Sequence, residues 1–179
     1  MSGFERFNKI LNLFSEKRSS LTVAEISEEL KIPSSTIYRT VREMVLADFL
    51  ESAAGSYFRL GQAFIKFNRI INLSDPLIQA GEPFLKKLAN ENPIPSTNIL
   101  ARLFGDKVMC VADFKYPSFK NNTSYQKGRL MPLLYGATSR AIIMQIKGKR
   151  LGDILNLEGL NDNKQQEIFI RDLDKDRKK

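Results

Sequence analysis

Pro33, set between two apolar stripes of helical spacing, constrains this chain more than any other residue. Before it, Thr22 followed by Glu25 forms a capping box, in which the hydroxyl takes an orphan amide of the first turn and the carboxylate returns to the Thr22 amide. Val23, Ile26 and Leu30 then recur at three- and four-residue spacing, an inward stripe that leaves Glu25, Glu28 and Glu29 in water. Pro33 has no backbone donor and biases Ile32 away from helix, so Lys31-Ile32-Pro33 ends the first helix, while the ring suits the start of the next. In that second helix Ile37, Val41, Met44 and Val45 face the core, which turns Ser35, Tyr38, Arg39 and Arg42 outward; Ser34 and Thr36 flank its start. Two short helices about a tight turn are a helix-turn-helix. Hydroxyls at the exposed N-terminus with arginines one turn on suit the major groove of DNA, where they meet base edges and phosphates. Taken alone, the stretch fits an ordinary helical hairpin with solvated arginines equally well.

The flanks favour the first reading. Phe49 to Ser52 and Tyr57 to Leu60 are two short runs around a turn containing Gly55, a β-hairpin placed where a wing belongs, with Tyr57 and Arg59 positioned to reach the DNA backbone or minor groove. Upstream, Phe4, Phe7, Ile10, Leu11 and Phe14 recur at helical spacing and read as a first helix whose apolar face is core. Residues 1–61 therefore read as a winged helix-turn-helix domain.

Three segments of that domain, Leu21-Thr22-Val23-Ala24-Glu25-Ile26, Ile32 to Arg39, and Tyr57-Phe58-Arg59-Leu60-Gly61, resemble the IclR family of bacterial transcription regulators. Further on, Gly128-Arg129-Leu130-Met131-Pro132-Leu133 and Gly136-Ala137-Thr138-Ser139-Arg140-Ala141 resemble the central motif of that family's GAF-like ligand-sensing domain. Two departures stand out. Lys31 occupies the turn where the family often has glycine, and a left-handed residue there costs on the order of 1 kcal/mol; Ser27 replaces a usual alanine.

The resemblance implies an α+β protein: a winged helix over 1–61, a linker and dimerisation helix over 62–73, and an effector domain with an antiparallel sheet over 74–179. It implies duplex DNA with a dyad-related operator as partner, contacted by Ser34, Ser35, Thr36, Tyr38, Arg39, Arg42 and Arg59. It further implies a homodimer or higher assembly, and a small organic acid effector met by Gly136, Ala137 and Thr138. The linker, Gln62 to Leu73, carries Phe64, Phe67, Ile70 and Ile71 on one stripe, which serves either docking on its own domain or the pairing of two subunits.

The second half reads in order as follows. Asp75-Pro76 is an N-cap and first helical position, followed by Leu77, Ile78, Phe84, Leu85 and Leu88 on one face, with Pro83 expected to kink or restart the helix. Thr97 to Phe104 and Lys107 to Phe114 flank Gly105-Asp106 as a tight hairpin. Lys115 to Lys127 reads as loop or weak edge strand, and Thr138 to Ile146 as a helix whose free amides bind an anion or cap themselves. Ile168, Phe169 and Leu173 mark a last helix. The family has further strands beyond such a helix, so the effector domain is expected to be partial and its response to small organic acids poor.

The 42% hydrophobic content is that of a folded protein, and no run of apolar residues suits a membrane span or signal peptide, which makes the cytoplasm the expected address. The net charge of +8 favours a polyanion, yet residues 1–61 hold eight basic and eight acidic residues, so the excess lies entirely in the remainder. DNA affinity then depends on placing Arg39, Arg42, Arg59 and the Lys17-Arg18 pair on one face while the glutamates look away. With one cysteine and no histidine, no disulfide, metal site, cofactor or catalytic residue is expected. A sequence-specific transcription regulator is the leading function. The rival is a ligand- or protein-binding module whose winged helix makes protein contacts. An enzyme would have to use Cys110, which among Val108, Met109 and Val111 reads better as a core thiol.

Overall fold

The computed structural model describes residues 2–92, 94–116 and 125–177, and the chain divides into two units, one through Ser74 and one from Asp75 onward. In the first, the Ser2 hydroxyl accepts the Glu5 amide at 3.1 Å and starts α1 (Gly3–Leu11). Its apolar stripe is only partly core: Ile10 is fully buried and Phe7 half-buried, but Phe4 is 80% exposed and Phe14 falls beyond the helix end. The core reading of Phe4 is thereby corrected: its ring stacks on Phe7 at 6.3 Å at the outer end of the stripe, where its other face stays in solvent.

A short strand that periodicity does not reveal, β1 (Ser20–Thr22), leads directly into α2 (Val23–Leu30). The capping box is complete: Thr22 Oγ1 accepts the Glu25 amide at 3.2 Å, and the Thr22 amide donates to Glu25 Oε2 at 2.7 Å. Bonds from the Thr22 amide and hydroxyl hold the Glu25 carboxyl below its ordinary value. That contribution to stability is present above the unfolded-state value and is lost as pH falls through the lowered one. Thr22→Ala should cost about 1 kcal/mol of unfolding free energy, read as a lowered urea midpoint at pH 7.

Lys31 closes α2 in the left-handed region, with φ 55° and ψ 44°, and α3 (Ser34–Leu46) begins after Pro33 without a side-chain cap. Ile37, Thr40, Val41 and Met44 are buried against Ile10, Leu21, Ile26 and Leu50, so the inward stripe expected of this helix is the one observed. The hairpin follows as β2 (Leu50–Ser52) and β3 (Tyr57–Leu60), joined by a tight turn over Ala54–Ser56 in which Gly55 has φ 70°. β3 pairs antiparallel with both β1 and β2, giving a sheet of order β1-β3-β2. Helix α4 (Ala63–Ser74) then packs Phe64 and Phe67 against Phe49, at ring-centroid distances of 5.7 and 6.0 Å.

In the second unit Asp75 caps α5 (Pro76–Glu91), accepting the Leu77 amide at 2.9 Å and the Ile78 amide at 3.3 Å, and pairs with Arg102 at 2.8 Å. The helix runs continuously through Pro83, so it does not restart there. Strands β4 (Thr97–Phe104) and β5 (Lys107–Lys115) form the expected hairpin, with Phe104 opposite Lys107 and Gly105 at φ 62°. β6 (Leu130–Pro132) pairs with β5, completing a sheet of order β4-β5-β6 among the described residues.

Consecutive β4 residues Leu100 and Ala101 face Ala112 and Cys110, so Val111 is the extra residue of a bulge. The bulge changes which side of β5 faces which layer. Ala112 joins Ile78 and Leu85 of α5, whereas Val108 and Cys110 join the core formed by α6 (Ala137–Ile143), α7 (Gly148–Leu157) and α8 (Asn163–Arg177). Helix α6 stops earlier than the expected Ile146, and a separate α7 follows it. The last helix is found where Ile168, Phe169 and Leu173 place it. Most of the stretch read as loop or edge strand, residues 117–124, lies outside the described residues.

Candidate nucleic-acid interface

Helix α3 owes its outward face to the burial of Ile37, Val41 and Met44, which leaves Ser35, Tyr38, Arg39 and Arg42 exposed at helical spacing, Tyr38 by 56%. Among the described residues neither Arg39 nor Arg42 pairs with a carboxylate. Two hydroxyls assigned to the helix start are differently disposed. Ser34 Oγ donates to Ser27 Oγ at 2.9 Å, and Thr36 is half-buried, its carbonyl accepting Thr40 Oγ1 at 3.2 Å.

The expectation that Arg59 and Arg18 join the same cationic face while the glutamates look away is corrected by the geometry. Arg59 lies opposite Glu51 in the strand register, and the two form an ion pair with the arginine 62% exposed. Arg18 pairs with Glu29 at 2.9 Å, a bond that raises the already high guanidinium value. Cross-strand and interhelical neighbours decide these pairings, and one-dimensional spacing carries no information about them. Among the described residues Arg39 and Arg42 are then the arginines of this expected face without a carboxylate partner, with Lys17 exposed beside the paired Arg18.

Two supporting hydrogen bonds were not expected from the sequence. Arg6 Nε of α1 donates to the buried Thr40 Oγ1 at 2.6 Å, tying the first helix to the middle of α3. Ser27 Oγ donates to the Ile32 carbonyl at 2.6 Å, spanning the turn. Ser27 was visible as a departure from the family pattern, whereas nothing in the local sequence distinguishes Thr40 from a solvated threonine.

In the second unit Gly136, Ala137 and Thr138 sit together at the start of α6, the first two exposed and the third half-buried. Gly136 has φ 86°, and a Cβ there would lie 2.8 Å from Tyr125 Oη. That tyrosine is 7% exposed, donates to the Tyr135 carbonyl at 2.7 Å and meets Ser139 Oγ at 2.7 Å. The glycine of the motif thus serves both the turn and the close approach of the ring.

Cys110 is fully buried, and burial, with the charge of Asp113 second, pushes its thiol up to about 11. At pH 8 only about one thiol in a thousand is then ionised. Ellman's reagent should leave the folded protein unreacted over minutes and label one thiol per chain at once in denaturant. A group whose folded value is raised stabilises below its unfolded value, so this contribution is lost as pH rises through about 9 to 11. Among the described residues no group of three metal-ligating side chains is gathered, and no helix is long and apolar enough to cross a membrane.

Comparison with known proteins agrees with this geometry. The family model described as the IclR helix-turn-helix domain matches residues 5–53. The Pca regulon regulatory protein of Pseudomonas putida is 22% identical over 112 residues, which is 63% of this chain and 38% of that protein. A crystal structure of an IclR transcriptional regulator from Alicyclobacillus acidocaldarius superposes with a TM-score of 0.77 at 22% identity, over 99% of this chain and 73% of that one. An IclR homolog from Microbacterium hydrocarbonoxydans, complexed with 4-hydroxybenzoate, superposes with a TM-score of 0.67 at 21% identity, over 87% of this chain and 63% of its own. The chain thus spans less than two thirds of the length of the Pseudomonas and Microbacterium relatives. Residues 5–53 thus match the IclR helix-turn-helix domain, and the fold of the chain is similar to that of IclR transcriptional regulators.

Proposed function

We propose that this protein reads duplex DNA by sequence, laying α3 in the major groove, and that it does so as a homodimer on a dyad-related operator. The observation that supports the reading is the exposed face of Ser35, Tyr38, Arg39 and Arg42, two of whose members are arginines without a carboxylate partner among the described residues. Tyr57, 38% exposed on β3, and Arg59 beside it are the proposed wing contacts. Selection from a duplex library, repeated at two salt concentrations, tests the proposal. A consensus with two half-sites and a negative salt slope supports it, and no enrichment refutes it. The rival reading, a winged helix that contacts protein, draws support from the neutral charge of residues 1–61 and is favoured if binding shows no dependence on DNA sequence or salt.

Neutrality also motivates the dimer, since one copy neutralising few phosphates binds weakly and two half-sites supply the missing affinity. The proposed contact is α4, whose Ile65, Phe67, Ile70, Ile71 and Leu73 are 43 to 73% exposed. Phe67→Glu should convert the protein to monomers in sedimentation velocity and reduce operator binding to that of one half-site. A wild-type monomer that binds its operator tightly would overturn the assignment.

The second unit is proposed to present Gly136, Ala137 and Thr138 along one wall of a site for a small organic acid, the class to which the 4-hydroxybenzoate bound by the Microbacterium relative belongs, and to bind such acids only weakly. Calorimetry against hydroxybenzoates, followed by operator binding with and without the ligand, tests both the site and its control of DNA. The proposed compartment is the cytoplasm, where the DNA partner is.

A further inference from the structure

Lys31 enters the left-handed region, φ 55° and ψ 44°, which a residue carrying a Cβ adopts at a cost glycine avoids. The helix that follows has Pro33 at its cap position and no side-chain cap. Ser27 spans this weak connection. Its Oγ donates to the Ile32 carbonyl at 2.6 Å and accepts from Ser34 Oγ at 2.9 Å, while its own carbonyl accepts the Ile32 amide at 3.2 Å. One half-buried residue thereby joins the last turn of α2, the strained turn itself and the first residue of α3.

We propose that Ser27 is the positioning residue of the reading helix, and that Ser34 belongs to the same device, its hydroxyl committed to Ser27 and not to a base. The proposal rests on the DNA-reading role of α3. Bonds on both sides of Ile32 fix the direction in which α3 leaves the turn, so that Ser35, Tyr38, Arg39 and Arg42 arrive at the groove as a set. Base-edge hydrogen bonds tolerate only a small rotation of the helix, whereas long arginine side chains follow a phosphate through a larger one. Loss of the device therefore lowers sequence discrimination and spares non-specific binding. Lys31 and Ser27 are coupled by the same reasoning, because a glycine at position 31 holds the turn unaided.

The test compares Ser27→Ala, Ser34→Ala and Ser27→Ala/Lys31→Gly with the wild type, each on the selected operator and on a scrambled duplex. Ser27→Ala should weaken operator binding about fivefold, the net worth of roughly one hydrogen bond, and leave scrambled binding unchanged. Adding Lys31→Gly should recover at least half of that loss, which a general loss of stability would not predict. Ser34→Ala should weaken binding yet select the same consensus. Equal loss on both duplexes, absence of recovery with glycine, or a consensus degenerate at one position in Ser34→Ala would each overturn the assignment, the last by making Ser34 a base reader. If the wild type binds no duplex, the DNA-reading proposal fails and amide exchange decides the device separately. The Ile32 and Thr36 amides should exchange about fivefold faster in Ser27→Ala, and unchanged rates would overturn it.

Discussion

Replacing Arg39 by alanine should weaken operator binding by about 1–3 kcal/mol, roughly 5- to 150-fold, without lowering the thermal midpoint of the protein. Both halves of that expectation follow from exposure: the side chain lies on the outward face of α3, away from Ile37, Val41 and Met44, and holds no carboxylate among the described residues. The manner of the loss identifies the contact. A guanidinium on a guanine edge gives relaxed preference at one position of the site, whereas one on a phosphate gives uniform weakening and a salt slope reduced by about one unit. Arg42 lies one turn on and is expected to behave likewise, so Arg39→Ala/Arg42→Ala should abolish measurable discrimination between operator and scrambled duplex. Anisotropy titrations with both duplexes at two salt concentrations provide the measurement. Unchanged binding in the double variant would remove α3 as the reader, since Arg39 and Arg42 are the arginines of its outward face.

Gly61→Ala should be the most damaging single methyl addition in the first unit. A Cβ at this position would lie 2.2 Å from the Asp48 carbonyl oxygen and 2.9 and 3.0 Å from the backbone carbons of Asp48 and Leu50. All three atoms are main chain, so no side-chain rotation relieves the overlap. The Gly61 amide donates to the Phe49 carbonyl at 2.8 Å and the Ala63 amide to the Asp48 carbonyl at 3.0 Å, which fastens the end of the wing and the start of α4 to the segment after α3. Asp48 is itself held at φ 61°, leaving it little freedom to retreat. A displacement large enough to admit the methyl group breaks at least one of these bonds, and the expected destabilisation is about 2–4 kcal/mol. Chemical denaturation followed by far-ultraviolet dichroism would show a markedly lower midpoint. An unchanged midpoint would mean that the wing and α4 are not held in this close approach.

The motif glycine Gly136 and the wing-terminal Gly61 illustrate how much of this architecture is legible in one dimension. Each stands in a segment that resembles the family, but the reason for each glycine, the Tyr125 ring in one case and the Asp48 carbonyl in the other, comes from a residue eleven or thirteen positions away. Local rules succeed where the physics is local. Thr22 and Glu25 form their box because they are three residues apart, Asp75 caps α5 from the adjacent position, and Gly105-Asp106 turns the hairpin because the turn demands a positive φ. The stripe of Ile37, Val41 and Met44 likewise determined which residues of α3 face outward, since helical periodicity and the removal of apolar surface from water suffice for that.

What the sequence alone could not settle is which polar groups find one another. Arg59 and Glu51 meet through strand register, Arg18 and Glu29 through the placement of β1 and α2, and Arg6 and Thr40 through the packing of α1 on α3. The same holds for strand β1, too short to show a pattern and paired only through β3, and for the bulge at Val111 that sends the two ends of β5 into different cores. Hydrophobic period and capping chemistry are written into neighbouring residues, so the chain by itself specified most of the helices, both hairpins and which face of α3 is presented, but not the separate helix α7. Charge pairing and close backbone approach depend on distances between segments remote in sequence, and so only the tertiary structure decided that Arg39 and Arg42 lack a carboxylate partner among the described residues while Arg18, Arg59 and Ser34 are held by the protein itself.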